Sequence, residues 1–312
     1  MYDELLDRWH LPRPRSVAKT AWGWNNETFI ITSDAGRHVL RISANAQRSQ
    51  VEFEHELLSF LATIPLPFAT PVPLPGATGT IEMFETARGA LPATLFKEIP
   101  GHHPNDADVE LVAAGAAAFA QLDRALATLP MRSPIRPMTI DLAATTTLAG
   151  IRTAVGDEAA QCVAVAAQEA AALSPTLPRQ LIHGDFSLGN LLLDGPTVVG
   201  ILDFEFCGHD LRATELATAL GLLLTKTTGD RLWRPFVTAY LGALPLSVEE
   251  RQALPVLTRL SRAAGLLWWI GREREGLSSK TATAERVARL HAIDEWISRN
   301  ADELVDHAMQ TR

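Results

Sequence analysis

Cysteine is nearly absent: Cys162 and Cys207 are the two in 312 residues. Neither belongs to a Cys-x-x-Cys pair, so a disulfide framework is excluded and a structural zinc site is not expected. Lysine is scarce too, at four: Lys19, Lys97, Lys226 and Lys280. Acidic side chains outnumber basic ones by 36 to 28, for a net charge of −8. A chain of that sign has no global field for nucleic acid or anionic lipid, so no partner of either kind is expected; it attracts cations mildly. Long apolar runs are missing. The segment 216–224 is too short to cross a bilayer, and 255–270 is interrupted by Arg259 and Arg262. The opening MYDELLDRWH has no basic start followed by an apolar stretch, so a cytoplasmic protein is expected.

What is present is the composition of a folded protein, with 47% hydrophobic and 21% charged residues, which excludes wholesale disorder. The length suits about two domains. Residues 1–9 read as a short helix. Glu27–Thr32 and Arg37–Ile42 alternate around Ser33-Asp34-Ala35-Gly36, a hairpin pattern. Gln47–Ala62 carries helical spacing at Val51, Leu57, Leu58 and Leu61. Pro65–Pro75 is an extended, proline-rich connection, and Thr80–Glu85 and Ala93–Glu98 read as strands. Pro100-Gly101 breaks the chain, and the composition then changes. Asp106–Leu129 is an alanine-rich helix opened by Asn and Asp, Asp157–Leu173 is a second helix, and from Arg212 onward the pattern is helical. Met131–Gly150 has no clear pattern. The expected class is α+β: a small β-rich lobe, 1–98, with a hinge near 95–101, and a larger, mainly α-helical lobe, 102–312.

The informative stretch is Leu181–Asp203, LIHGDFSLGNLLLDGPTVVGILD. An apolar strand ends at His183-Gly184-Asp185. Asn190 follows five residues after Asp185. Leu191-Leu192-Leu193 and Val198–Leu202 flank the turn Asp194-Gly195, and Asp203 ends the second strand. This hairpin brings Asn190 and Asp203 to one end, with Asp185 on the loop entering it. Two carboxylates and a carboxamide suit oxygen ligation of a hard cation such as Mg²⁺, or a base that orients a hydroxyl for phosphoryl transfer. A serine nucleophile at Ser187 lacks a Gly-x-Ser-x-Gly elbow, and the adjacent His102 and His103 read as a solvated loop.

His183-Gly184-Asp185-x4-Asn190 with Asp203-Phe204-Glu205 downstream resembles the aminoglycoside phosphotransferase superfamily, which also holds choline kinases and homoserine-kinase-like small-molecule kinases. The run from Asp203 to Gly208, with Arg212-Ala213 and Glu215-Leu216-Ala217, is most similar to the homoserine-kinase-like branch, although Glu215 stands where that branch usually has aspartate. The resemblance implies a two-lobed protein-kinase-like fold and an ATP- and Mg²⁺-dependent small-molecule kinase. It implies Asp185 as the catalytic base, Asn190 and Asp203 as metal ligands, and His183 as support for the loop.

In the first lobe it implies a nucleotide-covering loop at Trp22–Glu27, with Gly23 and Asn26. Arg41 stands where kinase-like folds usually place a strand lysine; its helix partner is expected to be Glu54, with Glu52 and Glu56 as rivals. Glu98 and Ile99 fall on the hinge, whose backbone would meet the adenine. Glu205, Asp210, Trp268, Trp269, Arg272 and Glu273 are candidates for the pocket of a small hydroxylated acceptor. An amino alcohol or hydroxy amino acid such as homoserine is the expected acceptor. An aminoglycoside kinase is the alternative, distinguished by a strongly acidic pocket where an amino acid would call for a carboxylate-binding arginine. A nucleotide-binding pseudokinase is a second alternative. The short span from Asp203 to Glu215 leaves no room for a protein-kinase activation segment.

Overall fold

A computed structural model describes residues 2–20, 26–87, 89–104, 107–130, 148–173 and 175–311. The chain forms two compact units. The first comprises Met1–His103 and Leu191–Glu205, the second Pro104–Asn190 and Phe206–Arg312. The sequence division places all of 102–312 in one lobe; by internal packing, 191–205 groups with the first unit.

The first unit is built on one antiparallel sheet. Its strands are β1 (Ser16–Lys19), β2 (Asn26–Ser33), β3 (Gly36–Ser43), β4 (Glu82–Thr86) and β5 (Gly89–Lys97), in spatial order β1-β2-β3-β5-β4. Phe29 and Ile31 of β2 and Leu40 and Ile42 of β3 alternate onto one face. There they join Leu5, Leu6 and Trp9, contributed by the short helix α1 (Tyr2–Asp7) and the turn after it, as a core. Side chains alternate along a strand, so Arg41 is turned to the other face. Helix α2 (Arg48–Leu61) is opened by a capping box between Gln47 and Gln50 and buries Val51, Glu54, Leu58 and Leu61 at helical spacing. The hairpin β7 (Leu191–Asp194) with β8 (Thr197–Ile201) belongs here too. The proline-rich connection and His102 hold it: Ala69 exchanges hydrogen bonds with Val199 and Ile201, and His102 exchanges a backbone pair with Leu193.

The second unit is mainly helical. Its helices are α3 (Val109–Leu126), α4 (Leu148–Val155), α5 (Asp157–Ala171), α6 (Ala213–Leu224), α7 (Gly229–Ala243), α8 (Val248–Arg274) and α9 (Lys280–Gln310). Asp108 caps α3 by accepting the Leu111 N–H at 2.8 Å. Helix α8 packs against α5, α6 and α9, and α3 against α7. A two-stranded ribbon, β6 (Arg179–Ile182) with β9 (Gly208–Leu211), carries the loop that follows β6. β1 and β9 go beyond the strands assigned from sequence; each is four residues long and is held by its partner strand rather than by a pattern of its own. No helix among the described residues is long and apolar enough to cross a membrane.

Candidate active site

Arg41 and Glu54 form a paired ion bridge in the first unit. The two terminal nitrogens donate to the two carboxylate oxygens at 2.8 and 2.5 Å. Of the three helix glutamates, Glu54 makes this pair, because it lies on the buried stripe of α2; Glu52 is exposed and pairs with Arg48, and Glu56 is exposed. Burial opposes the charge on Arg41, but the attraction and hydrogen bonds of Glu54, with Glu205 and Asp203 adding, hold the guanidinium above its ordinary value. The Arg41 Nε–H is buried with no partner among the described residues. Glu205, grouped from sequence with the acceptor residues, accepts the Asn26 amide at 2.7 Å. That bond leaves the Asn26 Oδ1 buried and unpartnered among the described residues. Gly23 lies outside those residues.

Asp203 follows β8 with φ of +67°, a left-handed conformation uncommon for a non-glycine residue. Such a backbone persists where its surroundings over-determine it, and it re-aims the carboxylate away from the strand's own alternation. In the hinge segment, Glu98 is tied at both ends: its N–H donates to the Arg37 carbonyl, and its carboxylate takes Arg37 at 2.5 and 2.8 Å. Ile99 packs on Gly200 of the hairpin.

The loop after β6 is clamped from within the second unit. His183 is fully buried, edge-on to Phe119, and Phe186 stacks on Phe119 with ring centroids 3.6 Å apart. These two plugs fix the residues between them. Gly184 has φ of +80°, and a Cβ there would stand 2.4 Å from the Phe206 carbonyl oxygen, so glycine is required. Glu215 on α6 accepts the Gly184 N–H at 3.0 Å. Asp185 is half-buried, and Asn190 donates to both its carbonyl and its carboxylate, at 2.8 and 3.1 Å. The amide nitrogen of Asn190 is spent on Asp185, so its Oδ1 faces the other way.

Burial, outweighing the loop N–H groups that oppose it, pushes the Glu215 carboxyl up to about 7. Asp123 of α3 is also held well above the carboxylate range, chiefly by burial and then by Glu215; the Tyr240 hydroxyl donates to it. Asp210 lies on β9, buried, with its carboxylate on the Leu211 N–H at 2.7 Å and near Arg179. Trp268 meets Phe206 edge-on, and Arg272 lies 4.8 Å over its ring. Arg262, read from sequence as no more than a charge interrupting an apolar helix, has its side chain between α8 and α6 within the electrostatic reach of Asp185.

Among the described residues no group of three His, Cys, Asp or Glu side chains gathers into a closed metal cage. Asn190 Oδ1 and the Asp203 carboxylate are each oxygen donors of the kind a hard cation takes.

A family profile described as "Phosphotransferase enzyme family" matches residues 16–255. The chain belongs to that family. A homoserine kinase of Phenylobacterium zucineum (strain HLK1) is 28% identical over 266 residues, covering 81% of this chain and 79% of the relative. The solved structure of a microcompartment-associated aminopropanol kinase superposes with a TM-score of 0.75 at 17% identity, covering 100% of this chain and 99% of that one. Amicoumacin kinase, solved with AMP-PNP and Ca²⁺, superposes with a TM-score of 0.71 at 16% identity, covering 97% and 93%. The phosphotransferase fold is thus the two-lobed, protein-kinase-like α+β fold, and the chain is a small-molecule phosphotransferase.

Proposed function

We propose that this phosphotransferase is an ATP- and Mg²⁺-dependent kinase that phosphorylates the hydroxyl of a small amino alcohol or hydroxy amino acid, with homoserine the leading acceptor. The observation that carries the reading is the double hydrogen bond from Asn190 to Asp185, which joins a base to a cation ligand within one short loop. The homoserine kinase relative supports the acceptor class.

When bound, Mg-ATP supplies the γ-phosphoryl group and the charge neutralisation that phosphoryl transfer requires. Asp185 would orient the acceptor hydroxyl and take its proton as the new oxygen–phosphorus bond forms and the bond from the γ-phosphorus to the departing ADP oxygen breaks. Asn190 Oδ1 and the Asp203 carboxylate would be the oxygen donors for the cation. Arg41, kept in place by Glu54, would offer its Nε–H to a phosphate oxygen. In the hinge the Glu98 N–H is already spent, so the base contact falls to Ile99. His183 and Glu215 position the loop without touching the reacting atoms. Catalysis of this kind rests on positioning and charge rather than on a covalent intermediate.

The test is ATP consumption with Mg²⁺ against homoserine, threonine, serine, choline, ethanolamine, methylthioribose, hexosamines and aminoglycosides, with products identified by mass. One acceptor gaining about 80 Da, a single phosphoryl group, and losing that gain in Asp185→Asn supports the proposal. Phosphorylation of an aminoglycoside alone moves the protein to the antibiotic kinases. Nucleotide binding without transfer to any acceptor makes it a pseudokinase, and no nucleotide binding overturns the reading.

A further inference from the structure

Arg262 of α8 is a half-buried arginine with no carboxylate at ion-pair distance among the described residues. Two other arginines with largely buried side chains are neutralised, Arg41 by Glu54 and Arg259, one turn before Arg262, by Glu169 and Asp294, whereas the buried Arg272 lies against the rings of Trp268 and Trp269. Arg262 bonds weakly to the Thr218 carbonyl and the Ser261 hydroxyl, both at 3.3 Å, and makes no ion pair among the described residues. Its neighbours in charge are Arg286 and Arg289 of α9, which repel it, and Asp185, which attracts it. Arg286 and Arg289 are three residues apart and share a helix face. Arg286 lies 4.0 Å over the Trp269 ring and pairs with its chain neighbour Glu285; Arg289 has no ion pair among the described residues.

Burial and the two neighbouring arginines together lower the Arg262 guanidinium to about 10. Three crowded cations with a deficit of anions cost free energy in the empty protein and gain it when an anion arrives. The space is also kept: a Cβ on Gly221 of α6 would meet the Arg262 Nε at 2.9 Å, so the small residue at this point of α6 is what lets the side chain lie there. A guanidinium presents paired donors matched to a carboxylate.

We propose that Arg262, with Arg289 and Arg286, binds the carboxylate of the acceptor, so that the substrate is a hydroxy acid or hydroxy amino acid whose hydroxyl is directed to Asp185. This rests on the function proposed above and narrows it: a polycationic antibiotic, or an amino alcohol without an acid group, meets repulsion at these arginines.

The experiment pairs each acid with its neutral form. L-Homoserine, L-serine and L-threonine are compared with their amides, and L-homoserine with 3-amino-1-propanol, the same skeleton without the carboxylate. The expected result is a preference in kcat/KM for one acid over its neutral counterpart of at least about 30-fold, the factor carried by a buried, hydrogen-bonded charge pair. Arg262→Lys and Arg289→Gln should each shrink that ratio while leaving KM for ATP unchanged. Equal use of acid and neutral forms overturns the inference and leaves the kinase standing. A shift in KM for ATP with the acid preference intact also overturns it, because the cluster then serves nucleotide phosphates. Calorimetry without nucleotide separates the two readings when nothing is phosphorylated. Acid-selective binding lost in Arg289→Gln keeps this inference while the kinase reading falls, and absence of such binding ends both.

Discussion

Two carboxylates in this protein respond oppositely to removal. Asp185 is half-buried, so Asp185→Asn should lower the transfer rate by about 10²- to 10⁴-fold with a smaller loss of stability than the removal of Glu54 causes, followed by coupled ATP consumption and calorimetry. Glu54 is the counter-charge of a buried guanidinium. Glu54→Gln leaves Arg41 uncompensated and should cost about 3–5 kcal/mol in urea unfolding. Adding Arg41→Met should restore much of that stability, since removing both partners leaves no orphaned charge, yet nucleotide binding should stay lost. A double variant as unstable as Glu54→Gln would mean that packing, not charge, is what Glu54 supplies. At this scale the sequence is informative where chemistry is concentrated in a short span. Asp185, Asn190 and Asp203 lie within 19 residues, and Glu54 follows from the helical spacing of α2. Arg262 was not legible as a site, because an arginine in an apolar helix is known by what surrounds it, and its surroundings come from α6 and α9.

The clamped loop after β6 shows why the element, rather than the motif, sets the site's rigidity. Gly184 closes against the Phe206 carbonyl, and Glu215 on α6 receives its N–H. Glu215 carries a pH signature with a defined sign. Its carboxyl keeps its proton up to about 7 in the folded chain, whereas the unfolded chain releases it in the ordinary carboxylate range near 4.5. Between those values the folded protein holds more protons, so this contribution to stability is complete below pH 4.5 and is lost as pH rises through 7. The slope is at most about 1.4 kcal/mol per pH unit for one group, and Asp123, raised for the same reason, acts in the same sense. Urea unfolding between pH 5 and 8 should show this decline, and Glu215→Gln, which keeps an oxygen for the Gly184 N–H, should flatten it. An undiminished slope in the variant would assign the titration elsewhere. Elements with their own periodicity were readable: the β2–β3 hairpin, α2 and the helices after Arg212. The strand expected at Ala93–Glu98 begins earlier, at Gly89, and that expected at Thr80–Glu85 runs Glu82–Thr86. Strand ends there are set by mutual pairing, and so is the order β1-β2-β3-β5-β4. No local pattern encodes such long-range choices.

At the scale of the whole chain, the hairpin 191–205 returns to the first unit and takes Asp203 and Glu205 into the electrostatic surroundings of Arg41. Among the described residues Arg41 keeps an unpartnered Nε–H and Asn26 an unpartnered Oδ1, a donor and an acceptor open to a ligand. Nucleotide should therefore stabilise the fold only together with its cation. At a concentration about 100 times its Kd, a non-hydrolysable ATP analogue with Mg²⁺ should add about 2.7 kcal/mol. For a chain of this size that is a rise in melting temperature of about 4 °C. Chelating the metal should remove most of the rise, and Asp203→Asn should lower it at any metal concentration, because the amide keeps the shape but loses the charge proposed to hold the cation. Glu205→Gln separates charge from geometry: it leaves an oxygen for the Asn26 amide, so a rise reduced there as far as in Asp203→Asn would mean that total negative charge governs cation binding. A rise preserved in Glu205→Gln and lost in Asp203→Asn would assign the cation to the carboxylate that the left-handed backbone at position 203 aims, and would make that one backbone angle part of how the enzyme selects its loaded nucleotide.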